Sequence, residues 1–142
     1  MNGNAELLNF IYQNSEMGVN TISQLLEIVK EENLKKHLEK QYLEYKEVHG
    51  LAKKMLNDKG YDEKGIGTLE KLRTYLMINL QTLTDKSPSH IAEMLIIGSN
   101  MGIINAIKNL KKYQFADAEI RNLMERLLRF EENNVQELKQ FL

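Results

Sequence analysis

Residues 60–88, GYDEKGIGTLEKLRTYLMINLQTLTDKSP, separate two long stretches of helical spacing, and the length of this connection decides the fold. Gly60, Gly65 and Gly67 open it as a flexible linker. Thr68 is placed to cap a shorter helix bearing Leu69, Leu72, Leu76, Leu80 and Leu83. Ser87 followed by Pro88 reads as an N-cap with proline at the first helical position of the next helix. The segment is too long for a hairpin turn, so it is a crossover between two helical pairs.

Upstream, a first helix is expected from Asn4, as N-cap with Glu6 in the first turn, to about Lys30. Leu8, Ile11, Ser15, Gly18, Ile22, Leu25 and Val29 recur along it at the three- and four-residue spacing of a bundle seam. A second helix, from about Asn33 to Lys59, carries Leu38, Tyr42, Tyr45, His49, Ala52 and Leu56, and stops at Gly60, suited to a left-handed cap. The short link makes these two an antiparallel hairpin. Downstream, Pro88 to about Tyr113 is apolar nearly all round, through Met94, Leu95, Ile96, Ile97, Met101, Ile103, Ile104 and Ile107, and is expected to be the most buried element. Gly98 and Gly102 would let a neighbour approach closely. A last helix, from about Asp117 to Phe141, sets Ile120, Met124, Leu127, Glu131, Asn134, Leu138 and Phe141 on its seam and pairs back antiparallel. With 1 proline in the chain nothing breaks these helices, and the reading is one all-α domain over residues 1–142.

Composition narrows the chemistry. The chain has 0 cysteines, which removes disulfides, thiolate metal sites and thiol catalysis together. Its 19 basic and 20 acidic residues are interspersed, so nucleic acid and anionic membrane are disfavoured as partners. The N-terminus lacks a basic region leading into an apolar run, so no secretory signal is read there. Glu93, Ser99, Asn100 and Asn105 interrupt the apolar run Ile91 to Ile107 before membrane-spanning length. The expectation is a soluble, cytoplasmic protein.

Polar residues on the seams are the exceptions that carry information. They are Ser15 and Gly18, with Asn14 and Thr21 beside them; Tyr42, Tyr45 and His49; and Glu131 and Asn134. At about 1.5 Å rise per residue, hairpins turning near Glu31 and Gln114 set Ser15 opposite about Glu47 and Glu131 opposite about Gly98. One level of the bundle then collects a polar layer in which Asn100 also falls.

In layout, two antiparallel hairpins joined by a long crossover, the chain resembles the ferritin-like superfamily over nearly its whole length. That superfamily holds two metal ions with a Glu from each of two helices and a Glu-x-x-His pair from each of the others. Here Lys46-Glu47-Val48-His49 keeps the His without the Glu, and Glu131-Glu132-Asn133-Asn134 keeps the Glu without the His. At the single-Glu positions, Gln13 to Glu16 and Gly98 to Asn100, only Glu16 is a carboxylate, and it sits toward the helix flank. The run Thr84-Asp85-Lys86-Ser87-Pro88-Ser89-His90-Ile91-Ala92-Glu93-Met94 is also similar to bacterial proteins of this type, a resemblance that implies no activity.

The expectation is therefore a ferritin-like bundle without a working di-metal centre and without a cofactor. It would be non-catalytic, a structural or interaction module meeting a protein partner or a second copy of itself. The rival is a divergent metal-binding or redox protein, holding iron or another divalent metal with His49 and Glu131, assisted by Glu16, Glu47 or Glu132. A third reading is a small-ligand pocket where Ser15, Gly18, Gly98 and Gly102 leave room between helices. Ser87, Ser89 and His90 form a further candidate, an anion site at a helix N-terminus, against the plainer reading of an exposed cap. His37 is expected to be exposed and inert, and Gly65-Ile66-Gly67 to be a linker rather than a dinucleotide loop.

Overall fold

A computed structural model of the chain describes residues 2–63 and 69–142; the Gly65-Ile66-Gly67 linker and the Thr68 cap lie outside them. Among the described residues the chain is all-helical, with five α-helices and no strand: α1 (Asn4–Leu26), α2 (Glu32–Asp58), α3 (Glu70–Gln81), α4 (Pro88–Lys112) and α5 (Ala118–Leu138). A 3-10 turn, Lys139–Phe141, follows α5.

The helix ends follow from local chemistry. Gly3, at φ 82, precedes α1, a conformation that favours glycine, and a Cβ there would strike the Tyr113 ring. Asn4 therefore is not the cap of its own helix. Its side-chain oxygen accepts from Asp117 N at 2.8 Å and ties the start of α5 to the start of α1. Replacing it should leave the backbone N–H at the start of α5 without its partner in a part-buried setting, so Asn4→Ala is expected to destabilise the fold by about 1–2 kcal/mol, read by urea denaturation. An unchanged midpoint would remove this tie from the account.

Helix α1 ends at Leu26 rather than Lys30, because the hairpin needs the residues up to Glu31 to turn the chain. Glu31 is extended (φ −68, ψ 123) and its carboxylate accepts from Asn33 N and Leu34 N at 3.0 and 2.8 Å, capping α2. At the other end Gly60 (φ 72) completes a left-handed cap, with Tyr61 N donating to Leu56 O and Gly60 N to Asn57 O. Ser87 caps α4 through His90 N, and Pro88 takes the first helical position.

The antiparallel pairing of α1 with α2 is visible in Tyr12 against His49 and Gly18 against Tyr45. That of α4 with α5 is visible in Gly102 against Glu131, and in Arg121 Nη1 donating to Leu110 O and Tyr113 O. Helix α3 packs lightly over this assembly through Leu72 and Leu76. The core runs through all five helices, but its centre is α1, where Leu7, Leu8, Phe10 and Ile11 are wholly buried. The expectation that α4 is the most buried element is corrected here. Ile97, Ile104 and Ile107 remain 42%, 54% and 39% exposed, because α4 offers apolar residues on every face while α5 and α3 cover only part of it. By length and composition α4 is also the one helix among the described residues apolar enough to cross a membrane.

Candidate functional site

Four helices meet at one carboxyl. Glu131 on α5 is 3% exposed, and Asn14 Nδ2 from α1 donates to its Oε1 at 3.1 Å while the Tyr45 hydroxyl from α2 donates to its Oε2 at 2.9 Å. Helix α4 contributes Gly102, where a Cβ would stand 3.5 Å from Glu131 Oε2 and 3.3 Å from Asn14 Nδ2; glycine leaves space for the carboxyl. Burial pushes the Glu131 pKa up to about 7, although the Tyr45 and Asn14 bonds pull it down. Tyr45 is pushed well above the ordinary tyrosine value by its burial and then by the Glu131 charge; Ser99 hydrogen-bonds to the same hydroxyl. The Tyr45 ring is held edge-on by Phe130 at 4.9 Å between centroids.

A cavity of about 30 Å3 borders this layer, with Thr21, Gln41, Tyr45, Ser99 and Glu131 in its wall. That is room for roughly one or two waters, too little for an organic ligand. The glycines of the expected ligand pocket are filled by neighbours. Tyr45 occupies the space over Gly18, and Leu76 Cδ2 lies 3.1 Å from where a Cβ of Gly98 would be. Gln41 Nε2 and Asn134 Nδ2 are buried without a hydrogen-bond partner among the described residues.

The other residues expected in the layer divide. Ser15 is buried, but its hydroxyl donates back to Ile11 O and Tyr12 O of its own helix. Tyr42 is half-buried with Lys46 Nζ 5.9 Å from its ring centroid. Asn100 is exposed, a correction, since α4 turns it toward solvent on the same side as Ile97 and Ile104. His49 belongs to a separate group at the edge of the bundle. It stacks on Tyr12 at 4.6 Å, its Nε2 is 3.6 Å from Glu16 Oε2, and the Tyr12 hydroxyl donates to Glu63. Burial and then these carboxylates push the Tyr12 hydroxyl up to about 12.

The residues present do not fit a di-metal centre. Both oxygens of Glu131 already accept from N–H and O–H donors, so a cation there would face hydrogens. His49 has its contacts elsewhere, Glu47 is held by Arg126 at 3.3 Å, and Glu132 is exposed. Among the described residues no group of three or more His, Asp or Glu side chains could hold a metal ion. At the start of α4, Asp85 Oδ1 accepts from Ser87 N at 3.0 Å, and bonds from Ser87 with the nearby His90 hold the Asp85 carboxyl below its usual range. An anion approaching Ser87, Ser89 and His90 would therefore meet a carboxylate already in place.

His37 corrects the expectation of an exposed residue. It is buried, with Nδ1 2.9 Å from Glu137 Oε2 and its ring beside Phe141. Burial lowers its pKa more than Glu137 raises it. Its place was readable from Leu34, Gln41 and Tyr45, which put it on a second stripe of α2. Comparison of the chain with protein-family models, with curated proteins and with solved structures finds no match.

Proposed function

We propose that the chain is a non-catalytic, ferritin-like four-helix bundle that works as a structural and protein-interaction module, with the outer face of α4 as its docking surface. Two antiparallel hairpins joined by a connection that contains α3, and a carboxyl of α5 that meets the other three long helices at one level, support the ferritin-like reading. The observation that carries the interaction role is the exposure of Ile97, Ile104 and Ile107 along one side of α4. Single exposed apolar residues are ordinary, but an aligned set on one helix marks a surface that a partner covers.

Two measurements test this. Protein purified without chelator should hold no stoichiometric metal; metal present at one equivalent or more, and lost in Glu131→Gln, would overturn the non-catalytic half. A photo-reactive residue at position 104 should give a discrete cross-linked product in cells, whereas the same group in place of exposed Lys53 on α2 should not. Equal products from both positions, or none from 104, would overturn the docking half.

A further inference from the structure

The outer face of α4 has charged ends as well as an apolar centre. At about 100° per residue, Glu93, Ile97, Asn100, Ile104 and Lys111 fall on one narrow stripe, with Ile107 and Lys108 on its two edges. Every one of these side chains is exposed. The stripe is acidic at its N-terminal end and basic at its C-terminal end, and spans about 27 Å at the helical rise. Among the described residues none of Glu93, Lys108 and Lys111 forms an ion pair within the chain. Tyr75 of α3 flanks the Glu93 end, where the Glu93 charge acts on its hydroxyl.

A face that is positive at one end, negative at the other and apolar between is complementary to itself when reversed. We infer that the partner covering α4 is a second copy of this chain, docked antiparallel about a two-fold axis near Asn100, so that Glu93 meets the partner's Lys108 and Lys111. The inference rests on the reading of α4 as a docking face. Such an axis sets Ile97 against the partner's Ile104, and each contact is made twice, as an isologous interface requires. Asn100 then sits beside the axis, where a polar pair fixes the register of two helices. The opposite, parallel arrangement would stack Glu93 on the partner's Glu93 and the lysines on each other. A single helical face of this length lies at the small end of specific interfaces, so dissociation in the micromolar range is expected.

The test is sedimentation equilibrium of the full chain from about 5 to 200 µM, with far-UV circular dichroism to check that each variant stays folded. The wild type should be a monomer–dimer mixture and Ile104→Glu a folded monomer. Glu93→Lys alone, or Lys108→Glu with Lys111→Glu, should weaken the dimer by about tenfold, and the three reversals combined should return it to within about threefold of wild type. The combined reversal is the decisive arm, because it restores opposite charges only in an antiparallel self-pair. A wild type monomeric at 200 µM overturns the inference, as does a dimer indifferent to the reversals or one not rescued by their combination. A monomer that sediments with lipid vesicles overturns it in favour of a membrane surface. A monomer that still gives a cross-linked product of another mass from position 104 overturns the self-pairing and leaves the docking face standing.

Discussion

Raising the pH from about 4 to about 8 is expected to remove about 3 kcal/mol of folding stability through Glu131 alone, and Glu131→Gln to abolish that loss. The folded state holds the carboxyl at about 7 against an ordinary value of 4.5, chiefly because burial penalises the charge. Below the lower value both states are protonated and the contribution is fully present. Between the two, the unfolded chain has released its proton while the folded one keeps it, so stability falls as pH rises, and the loss is complete once pH has passed the folded value. His37 works in the opposite direction. Its folded value is depressed by burial, so its contribution is present above the ordinary 6.5 and lost as pH falls through the folded value. Urea denaturation at several pH values separates the two. Glu131→Gln should be the more stable protein above about pH 7, by up to about 3 kcal/mol, and should keep the His37-dependent loss in acid. Parallel pH profiles for wild type and variant between pH 5 and 8 would show that the carboxyl ionises in the folded state as freely as in water.

The parts of this fold that were legible in the sequence are those where one local rule suffices. Gly60 and Ser87-Pro88 mark helix ends because left-handed caps and N-terminal prolines are properties of a few adjacent residues. Glu131 and Tyr45 stood out as polar side chains on otherwise apolar seams, and they do meet. Asn14 reads only as a neighbour of the seam and Gln41 does not stand out, because a seam assumes one buried face per helix. Helix α1 is buried on several, and its second stripe, through Leu7, Asn14 and Thr21, carries the contact to Glu131. The register of the second hairpin was one turn out. Glu131 faces Gly102 rather than Gly98, since this pair is centred between Ala116 and Asp117 rather than near Gln114, and each residue by which the centre moves shifts the opposing residue by two. For α4 the phase is faint: Glu93, Asn100, Lys108 and Lys111 fall on one side of it, but Ile97, Ile104 and Ile107 share that side. A helix apolar on every face does not say which face its own chain covers, and only the packing of α3 and α5 leaves Ile97 and Ile104 outside.

Gly18→Ala is expected to destabilise the fold by about 2–3 kcal/mol, although alanine is the better helix former by about 1 kcal/mol. A Cβ at this position of α1 would come within 2.6 Å of Tyr45 Cε1, and closer still to two other ring atoms. The ring cannot yield cheaply. It is buried, held edge-on against Phe130 and bound through its hydroxyl to Glu131. Displacing it removes one of the two hydrogen bonds that stabilise the Glu131 carboxylate, a bond to a buried charge whose loss costs roughly 1.5–3 kcal/mol. The same displacement has a second signature. The Tyr45 bond lowers the Glu131 pKa, so without it the carboxyl should titrate higher, and the pH at which stability stops falling should move up in the variant. Gly50 on α2 supplies the control, since a Cβ there would meet nothing within 4 Å. Gly50→Ala should therefore show the helix preference alone, a gain of about 0.5–1 kcal/mol. The two substitutions add the same methyl group to long helices of one hairpin, so the sign of the difference reports the wedge between Gly18 and Tyr45. If Gly18→Ala stabilises as Gly50→Ala does, with an unchanged pH profile, α1 and α2 are not held apart by Tyr45 and the carboxyl layer does not depend on their close approach.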